Sequence, residues 1–233
     1  MPLIQLKPLE ESFYIMVFDK LAKLDSIVLC EGKTEVETVK HVVEKLGFKV
    51  DLNVGLADCE GIRVVPRIVQ AIAALAKIAR KIRSIGVLVD SEKQTYYERV
   101  NSVIDSLRAK NINVEKPTPL GGSRQVFKTN LRINEKTIAL IVAVSGVENY
   151  PFKKHTIENH ALELMILENK LKPEKLNVLK EAKDLVNREK ILEIISGSSK
   201  ENIEKAFDYI VKMLKELRNR KQRNHNTKQT ISK

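Results

Sequence analysis

The sequence predicts an α/β fold: a mostly parallel, Rossmann-like sheet flanked by helices, with a helical C-terminal extension. Two observations carry this prediction. Short apolar, β-branched runs alternate with segments of helical periodicity from residue 26 onward, and such alternation is typical of parallel sheets that are covered on both faces. From residue 156 onward the apolar spacing is helical throughout.

The predicted strands are short apolar runs bounded by turn or charged residues. In chain order they are residues 26–31, 50–56, 85–90, 112–115, 124–133 and 137–144. The segments IGVLVD and TIALIVAV, at 85–90 and 137–144, are continuous enough to be buried on both faces. The segment 124–133 alternates instead, which predicts a strand followed by a turn at Asn134 and Glu135.

The helices are predicted from apolar residues at helical spacing and from capping residues. The first helix opens at a capping box of Thr34 and Glu37 and stops at Gly47. A second capping box, Thr95 with Glu98, opens the helix that follows the third strand. The remaining helices are expected at 62–83, 156–169, 173–195 with a break, and 199–220.

These elements divide the chain into four parts. They are an N-terminal segment 1–25, an α/β domain 26–155, a helical region 156–220 and a basic tail 221–233. The tail has no apolar period, so it is expected to be disordered.

Composition limits the class of protein. Of the 233 residues, 43% are apolar and 30% are charged, which favours a folded chain with a real core. The apolar runs fall well short of the roughly 20 residues that a membrane span needs, and the N-terminus MPLIQLKPLEESF lacks the features of a signal peptide, so a cytoplasmic location is expected. Richness in Lys, Glu and Ile, without Trp, is the bias of thermophile proteins.

The two cysteines, Cys30 and Cys59, are too few for a disulfide framework. The sequence leaves two alternatives for them: a mutual bridge, or two reduced buried thiols.

The net charge of +11 is unevenly distributed along the chain. Residues 218–233 carry six basic side chains and no acidic one. A basic excess favours an acidic partner, most often nucleic acid. The alternative is a tail that only raises solubility.

Two of the predicted strands end in a carboxylate. Glu31 follows the run IVLC, and Asp90 follows IGVLV. Neighbouring parallel strands lie about 5 Å apart and end at the same edge of the sheet, so the two side chains are expected to lie close together. Carboxylates at that distance repel each other unless a positive charge lies between them. A divalent cation, Mg²⁺ or alternatively Mn²⁺, meets that need and also binds phosphate oxygens.

Further acidic residues flank these two positions. Glu35 lies four residues after Glu31, in the first turn of the predicted helix, and Glu92 lies two residues after Asp90. Gly32 allows a tight turn and leaves room for a ligand beside the backbone. Each acid also has an ordinary alternative: Glu35 favours a helix N-terminus, and Glu92 can be a solvated loop residue.

The pattern strand–Glu–Gly–x–x–acid–helix, followed by strand–Asp–x–acid, resembles the Toprim domain of topoisomerases, bacterial-type primases, and OLD-family and RecR-like proteins. The resemblance covers roughly residues 25–150, and EGKTE is similar to the OLD-like and small stand-alone archaeal branch. It implies a Toprim-like fold that acts on nucleic acid with Mg²⁺. By position it implies that Glu31 is the acidic group near the scissile phosphate and that Asp90 and Glu92 hold the metal ion.

The sequence departs from the Toprim pattern at three places. The second motif is commonly Asp-x-Asp, whereas here it reads Asp90-Ser91-Glu92, and the following SEKQTYYE lacks the glycine of strict versions. In similar small proteins a later helix carries Glu-Asp; the stretch HTIENHALELM supplies Glu158 but has Asn159 next. The candidate catalytic residues are Glu31, Asp90 and Glu92, and the candidate metal ligands are Glu31, Glu35, Asp90, Glu92 and Glu158.

Basic residues near these motifs and in the tail are the candidate contacts to nucleic acid. They are Lys33, Lys93, Lys153, Lys154, Arg218, Arg220, Lys221 and Arg223. His155 and His160 lie five residues apart, which places them on different faces of a helix, so a zinc pair is not expected.

Motifs that the sequence lacks argue against two classes of protein. Without a P-loop motif an ATPase of the P-loop kind is not expected, and cysteines and histidines are too few for a primase-type zinc ribbon.

Three hypotheses for the function remain. The first hypothesis is a Mg²⁺-dependent nuclease. The second is a non-catalytic protein that binds RNA or single strands through their backbone. The third is a structural subunit of a nucleic-acid-processing complex that docks through 156–220, and whether the chain forms a homodimer stays open.

Overall fold

The computed structural model describes residues 3–6, 23–48, 53–74, 81–133 and 136–230. The strands are β1 Leu3–Leu6, β2 Ser26–Cys30, β3 Val54–Asp58, β4 Ser84–Asp90, β5 Asn113–Val114, β6 Thr118–Pro119, β7 Val126–Ile133 and β8 Lys136–Ser145. The α-helices are α1 Lys33–Leu46, α2 Val65–Ala74, α3 Tyr96–Arg108, α4 Ile157–Leu167, α5 Arg188–Ser196, α6 Lys200–Ala206 and α7 Asp208–Thr230. Short 3₁₀ segments lie at Ile62–Val64, Pro173–Val178 and Ala182–Asp184.

The strands form one sheet of eight in the order β1-β3-β2-β4-β8-β7-β5, with β6 paired to β7. The five strands from β1 to β8 in this order are parallel. Strands β7, β5 and β6 form the antiparallel part. The predicted α/β fold with a mostly parallel sheet is therefore confirmed.

The order of the strands reverses beside β2. The chain passes from β2 to β3 on one side and then crosses back to β4 on the other side. In open α/β sheets the crevice at such a point, outside the carboxyl ends of the strands, is where ligands bind. The carboxyl ends of β2 and β4 therefore flank this crevice.

Helices cover both faces of the sheet and create two core layers. Along β2, Val28 and Cys30 face one layer while Ile27 and Leu29 face the other, because side chains alternate along a strand. The first layer holds α1 and the C-terminal helices, and α7 packs against β8 and β4. The second layer holds α2 and α3. The helical C-terminal region thus covers one face of the sheet.

Several predicted boundaries differ from those in the structure. Strand β1 was not predicted, and β3 ends at Asp58 rather than at 56, residues 50–52 lying outside the described part of the chain. The helix expected over 62–83 is a 3₁₀ turn followed by α2 up to Ala74; residues 75–80 are not described, and 81–83 are not helical. The segment 118–119, which lies between the predicted strands 112–115 and 124–133, is the short strand β6.

The C-terminal helices also differ from the prediction. The helix expected over 173–195 is two 3₁₀ segments followed by α5. The helix expected over 199–220 is divided at Phe207 into α6 and α7. Helix α7 continues to Thr230, so residues 221–230, which the sequence predicted to be disordered, are helical.

The capping predictions had opposite outcomes. Thr95 caps α3, accepts from the Glu98 backbone N–H and completes the predicted capping box. Helix α1 instead begins at Lys33 with Gly32 as its N-cap and no side-chain cap, so the box of Thr34 with Glu37 was wrong. The carboxylate of Glu37 lies 3.3 Å from Arg188 Nε.

Among the described residues, no helix is both long and apolar enough to cross a membrane.

Candidate active site

Carboxylates from β2 and β4 meet at the predicted edge of the sheet. The two strands are parallel neighbours, with Cys30 opposite Leu88. The backbone N–H of Asp90 donates to Glu31 Oε2 at 3.1 Å. The prediction that Glu31 and Asp90 lie together at one edge is therefore confirmed.

The carboxylate of Glu31 is held by an arginine from α3. Arg99 Nη2 lies 2.9 Å from Glu31 Oε2 and 3.1 Å from Oε1. Both side chains are largely buried, Arg99 at 11% exposure and Glu31 at 21%. Removing either partner of such a pair leaves an uncompensated buried charge. The negative charge of Glu31 is therefore neutralised by the protein itself.

The carboxylate of Asp90 points to the N-terminus of α4. Its Oδ1 accepts from the hydroxyl of Ser145, at the end of β8, and from the backbone N–H of Ile157 at 3.1 Å. Burial raises the pKa of Asp90 well above its ordinary value, and the charge of Glu35 raises it further. The hydrogen bond from Ser145 opposes this increase. Asp90 is thus a poorly solvated acid that is reluctant to ionise.

Glu35 lies in the first turn of α1, with only 5% of its surface exposed. Burial is the main cause that raises its pKa to about 7, and the charges of Glu31 and Glu158 add to the increase. A Cβ at Gly32 would lie 3.1 Å from Glu35 Oε2, so the missing side chain makes room for this carboxylate. Gly32 itself has an extended backbone, with φ −150°, and the chain passes from β2 to α1 through a bend of only two residues, Glu31 and Gly32.

Glu158 is the second residue of α4, and its side chain is 9% exposed. Its Oε2 is buried without a hydrogen-bond partner among the described residues. The Nζ of Lys183 lies 3.9 Å from Oε1. Because the charge of Glu158 raises the pKa of both Glu35 and Asp90, it belongs to the same group. We call Glu31, Glu35, Asp90 and Glu158 the acidic cluster.

Glu92 has a different setting. It adopts a left-handed backbone, with φ 54°, which is uncommon outside glycine. Its backbone exchanges two hydrogen bonds of 2.8 Å with His155, which ties the loop after β4 to the loop before α4. The charges that raise the pKa of Asp90 come from Glu35, Glu158 and Glu31. Glu92 is half-exposed and lies at the rim, and its role as a metal ligand stays a prediction.

The loop after β4 and the loop before α4 lie close together because Gly146, directly after β8, has no side chain to separate them. Its φ is 103°, and a Cβ there would lie 2.6 Å from His155 Cβ and 2.7 Å from Ser91 Oγ. Its N–H donates to His160 Nε2 at 3.0 Å, and the Nδ1 of that ring lies 3.2 Å from Glu163. Both ring nitrogens of His160 therefore have partners within the protein, and the ring fixes a loop of the site.

The predicted nucleic-acid contacts fall into two groups. Those with described side chains are exposed: Lys33, Lys93, Lys153, Lys154 and Arg218. The side chains of Arg220, Lys221 and Arg223 lie outside the described ones. The backbone bridge between Glu92 and His155 places the segments carrying Lys93 and Lys154 side by side next to Asp90. Lys93 and Lys154 therefore lie on segments that flank the acidic cluster.

Two residues of the site were missed by sequence reasoning. Arg99 lies on a helix whose capping box drew attention to Glu98, and nothing in its local pattern distinguishes it from a surface arginine. Tyr209, from α7, has a buried hydroxyl without a partner among the described residues. Burial raises its pKa, followed by the charges of Asp90 and Glu35. Both reach the acidic cluster through tertiary packing, for which the sequence offers no local signal.

The two cysteines are separate, buried thiols. They are not bridged, and Cys30 lies in the α1 layer while Cys59 lies in the α2 layer. Burial raises the pKa of Cys59 to about 12. Of the alternatives left open by the sequence, the structure has the two reduced thiols.

The donor set of the acidic cluster suits a hard divalent cation in its chemistry. All four groups are carboxylates, the ligand type that Mg²⁺ and Mn²⁺ prefer, and the partnerless Oε2 of Glu158 is an oxygen for which the protein supplies no donor among the described residues. In the described part of the chain, however, no three His, Cys, Asp or Glu side chains are already arranged to hold an ion. The residues therefore fit a cation only if Glu31 or Asp90 exchanges a present hydrogen bond for it.

Comparison with known proteins gives three findings. Residues 25–233 match the family model DUF3226, described as a protein of unknown function. No curated protein matches the chain. Among solved structures, the chain is similar to the C-terminal region of the Xanthomonas campestris pv. campestris OLD protein, at 16% identity and a TM-score of 0.37, over 87% of this chain and 98% of that one. A similarity this distant adds nothing to the argument about the site.

Proposed function

This chain belongs to the DUF3226 family, and from the acids at the edge of its sheet we propose that it acts on nucleic acid and cleaves phosphodiester bonds at the acidic cluster with Mg²⁺. Mn²⁺ is the alternative cation. The proposed ligands are Glu31, Glu35, Asp90 and Glu158, with Glu92 as a rim ligand. A cation bound there would align a water molecule and stabilise the charge of the leaving oxygen.

One observation carries this proposal: four carboxylates share a poorly solvated edge of the sheet, and one buried oxygen, Glu158 Oε2, has no partner among the described residues. Burying acids next to one another costs stability, and strongly perturbed pKa values cluster at functional sites. The Toprim resemblance of EGKTE and Asp90-Ser91-Glu92 supports the same chemistry. Lys93 and Lys154, on the segments beside the site, and the net charge of +11 favour an anionic polymer as the substrate.

A specific observation favours a second candidate, nucleic-acid binding without cleavage. Glu31 is already paired with Arg99, and Asp90 already accepts from Ser145 and Ile157. A chain that had lost catalysis could keep these internal contacts and use only its basic residues to hold RNA or single strands. The two candidates predict different responses to a change at Asp90.

The experiment that separates them compares wild type with Asp90→Asn. Labelled single- and double-stranded DNA and RNA are incubated with Mg²⁺ or Mn²⁺, and both cleavage and mobility shift are measured. If the cluster is catalytic, Asp90→Asn abolishes cleavage, while binding measured in EDTA stays equal or improves because asparagine cannot place a negative charge near the phosphate.

Asp58→Asn is the matched control. Asp58 ends β3 at the same edge of the sheet, but its carboxylate accepts from the Glu60 backbone N–H at 2.9 Å, a bond that asparagine also accepts. This variant should cleave like wild type. Binding by wild type without Asp90-dependent cleavage on any substrate would replace the nuclease proposal with the second candidate.

A further inference from the structure

The guanidinium of Arg99 has a buried donor without an acceptor among the described residues. Both hydrogen bonds to Glu31 come from the single nitrogen Nη2, whereas a guanidinium has five N–H donors in a planar fork. Its Nε is buried without a partner among the described residues. A residue as buried as Arg99 normally satisfies its buried donors. Within the described part of the chain, the Nε edge of Arg99 therefore lacks an acceptor.

The position of this side chain limits which acceptor it can take. Arg99 reaches the carboxyl edge of the sheet beside Glu31, where Asp90 and Glu35 also lie. An acidic cluster repels a phosphodiester, so a fixed cation in contact with the cluster is the group that would favour one. Arginine suits this role because its fork matches two phosphate oxygens at once.

We propose that Arg99 is the phosphate-binding residue of the site, and that its contact with Glu31 is a resting arrangement exchanged when a phosphodiester binds. This inference rests on the proposed function. In the resting protein Arg99 neutralises Glu31 and competes with a cation for it. With a phosphodiester bound, Arg99 turns its donors to the phosphate and Glu31 becomes available as a ligand.

The proposal predicts opposite effects of one substitution. Arg99→Gln frees Glu31 from its competing cation, so Mn²⁺ alone should bind more tightly than to wild type. The same change removes a charge-assisted hydrogen bond to phosphate, which should weaken binding of a labelled single-stranded oligonucleotide by roughly tenfold or more. A merely structural arginine would give no such opposition, because loosening the site would weaken both.

The measurements are calorimetric titration with Mn²⁺ in the absence of nucleic acid, and fluorescence anisotropy of the labelled oligonucleotide in EDTA. Arg108→Gln is the matched control on the same helix, since its side chain is half-exposed and lies 3.3 Å from Asp105; it should change neither affinity by more than a few-fold. Arg99→Lys keeps the charge but loses the fork, so it should restore the wild-type Mn²⁺ affinity and only part of the oligonucleotide affinity.

Loss of both affinities in Arg99→Gln, or an unchanged oligonucleotide affinity, would overturn the proposal. If Arg99→Gln alone does not fold because Glu31 is left buried and unpaired, the double variant with Glu31→Gln is compared with Glu31→Gln for oligonucleotide binding, and equal affinities would overturn it. The proposed function fails separately, through Mn²⁺ binding that does not respond to Asp90→Asn.

Discussion

Replacing Glu35 by glutamine should stabilise the metal-free protein at alkaline pH. The pKa of Glu35 is raised from its ordinary value of 4.5 to about 7, mainly by burial. Ionising this group therefore costs more in the folded chain than in the unfolded one. The wild type has its full stability from Glu35 below about pH 4.5, and this stability disappears as the pH rises through about 7.

The difference between the two pKa values sets the size of the effect. About 2.5 pH units at 1.36 kcal/mol each gives about 3 kcal/mol as the largest difference. Because glutamine cannot ionise, Glu35→Gln should exceed the wild type by up to about 3 kcal/mol at pH 8 and nearly match it at pH 4. The variant keeps the size of the side chain, so packing around Gly32 should change little.

Urea unfolding in EDTA at pH 4, 6 and 8 measures this difference directly. Glu44→Gln, an exposed glutamate on the same helix, serves as the control and should follow the wild type at each pH. Adding Mg²⁺ at pH 8 should stabilise the wild type more than Glu35→Gln, since a cation relieves the repulsion that the variant already lacks. If Glu35→Gln is less stable than the wild type at pH 8 in EDTA, the carboxylate is held by unrecognised favourable contacts and our account of the acidic cluster is refuted.

Three further predictions concern a loop of the site, a buried thiol and the basic tail. Gly146→Ala should destabilise the fold by roughly 2 kcal/mol or more in urea unfolding, because a Cβ there would lie 2.6 Å from His155 Cβ; Gly122→Ala, with φ 73° but open space around it, should cost clearly less. The thiol of Cys59, whose pKa is raised to about 12, should resist alkylation at pH 8 until the protein is unfolded, and rapid native labelling would contradict its burial. Deleting 218–233 removes six basic residues and should flatten the salt dependence of nucleic-acid binding by about one unit of slope for each phosphate that the tail neutralises; an unchanged slope would leave the tail as a solubiliser.

The central pair of the candidate site was predictable because it depends on one regular feature. Parallel strands end at the same edge, so an acidic residue after each of two apolar runs predicts two neighbouring carboxylates, as found for Glu31 and Asp90. The position of Glu35 follows from the helix that β2 leads into. Glu158 came from the resemblance alone, and its place next to the others depends on α4 ending up beside β4.

The contacts that control the charges of these residues were not predictable. Arg99 is 68 residues from Glu31 in sequence, and Tyr209 comes from a helix near the C-terminal end of the chain. Local pattern also misplaced the start of α1, since Thr34 and Glu37 have capping chemistry but Gly32 occupies the N-cap. Tertiary packing explains why a glycine occupies the N-cap: it leaves space for the carboxylate of Glu35. Rules of helix capping consider only local hydrogen bonds and cannot predict this.

The cluster as it stands is an unfavourable arrangement that the chain tolerates in three different ways. Glu31 is neutralised by Arg99, whereas the raised pKa values of Glu35 and Asp90 mean that protons neutralise these acids over a wider pH range. Glu158 has only a lysine 3.9 Å away for one oxygen and nothing among the described residues for the other. Neutral amides in place of Glu35, Asp90 and Glu158, or an apolar pair in place of both Glu31 and Arg99, would be at least as stable, because buried ion pairs and buried acids seldom repay their desolvation. Stability therefore does not account for four acids at the reversal point of the sheet, and this is why we propose that they bind a cation beside an anionic substrate.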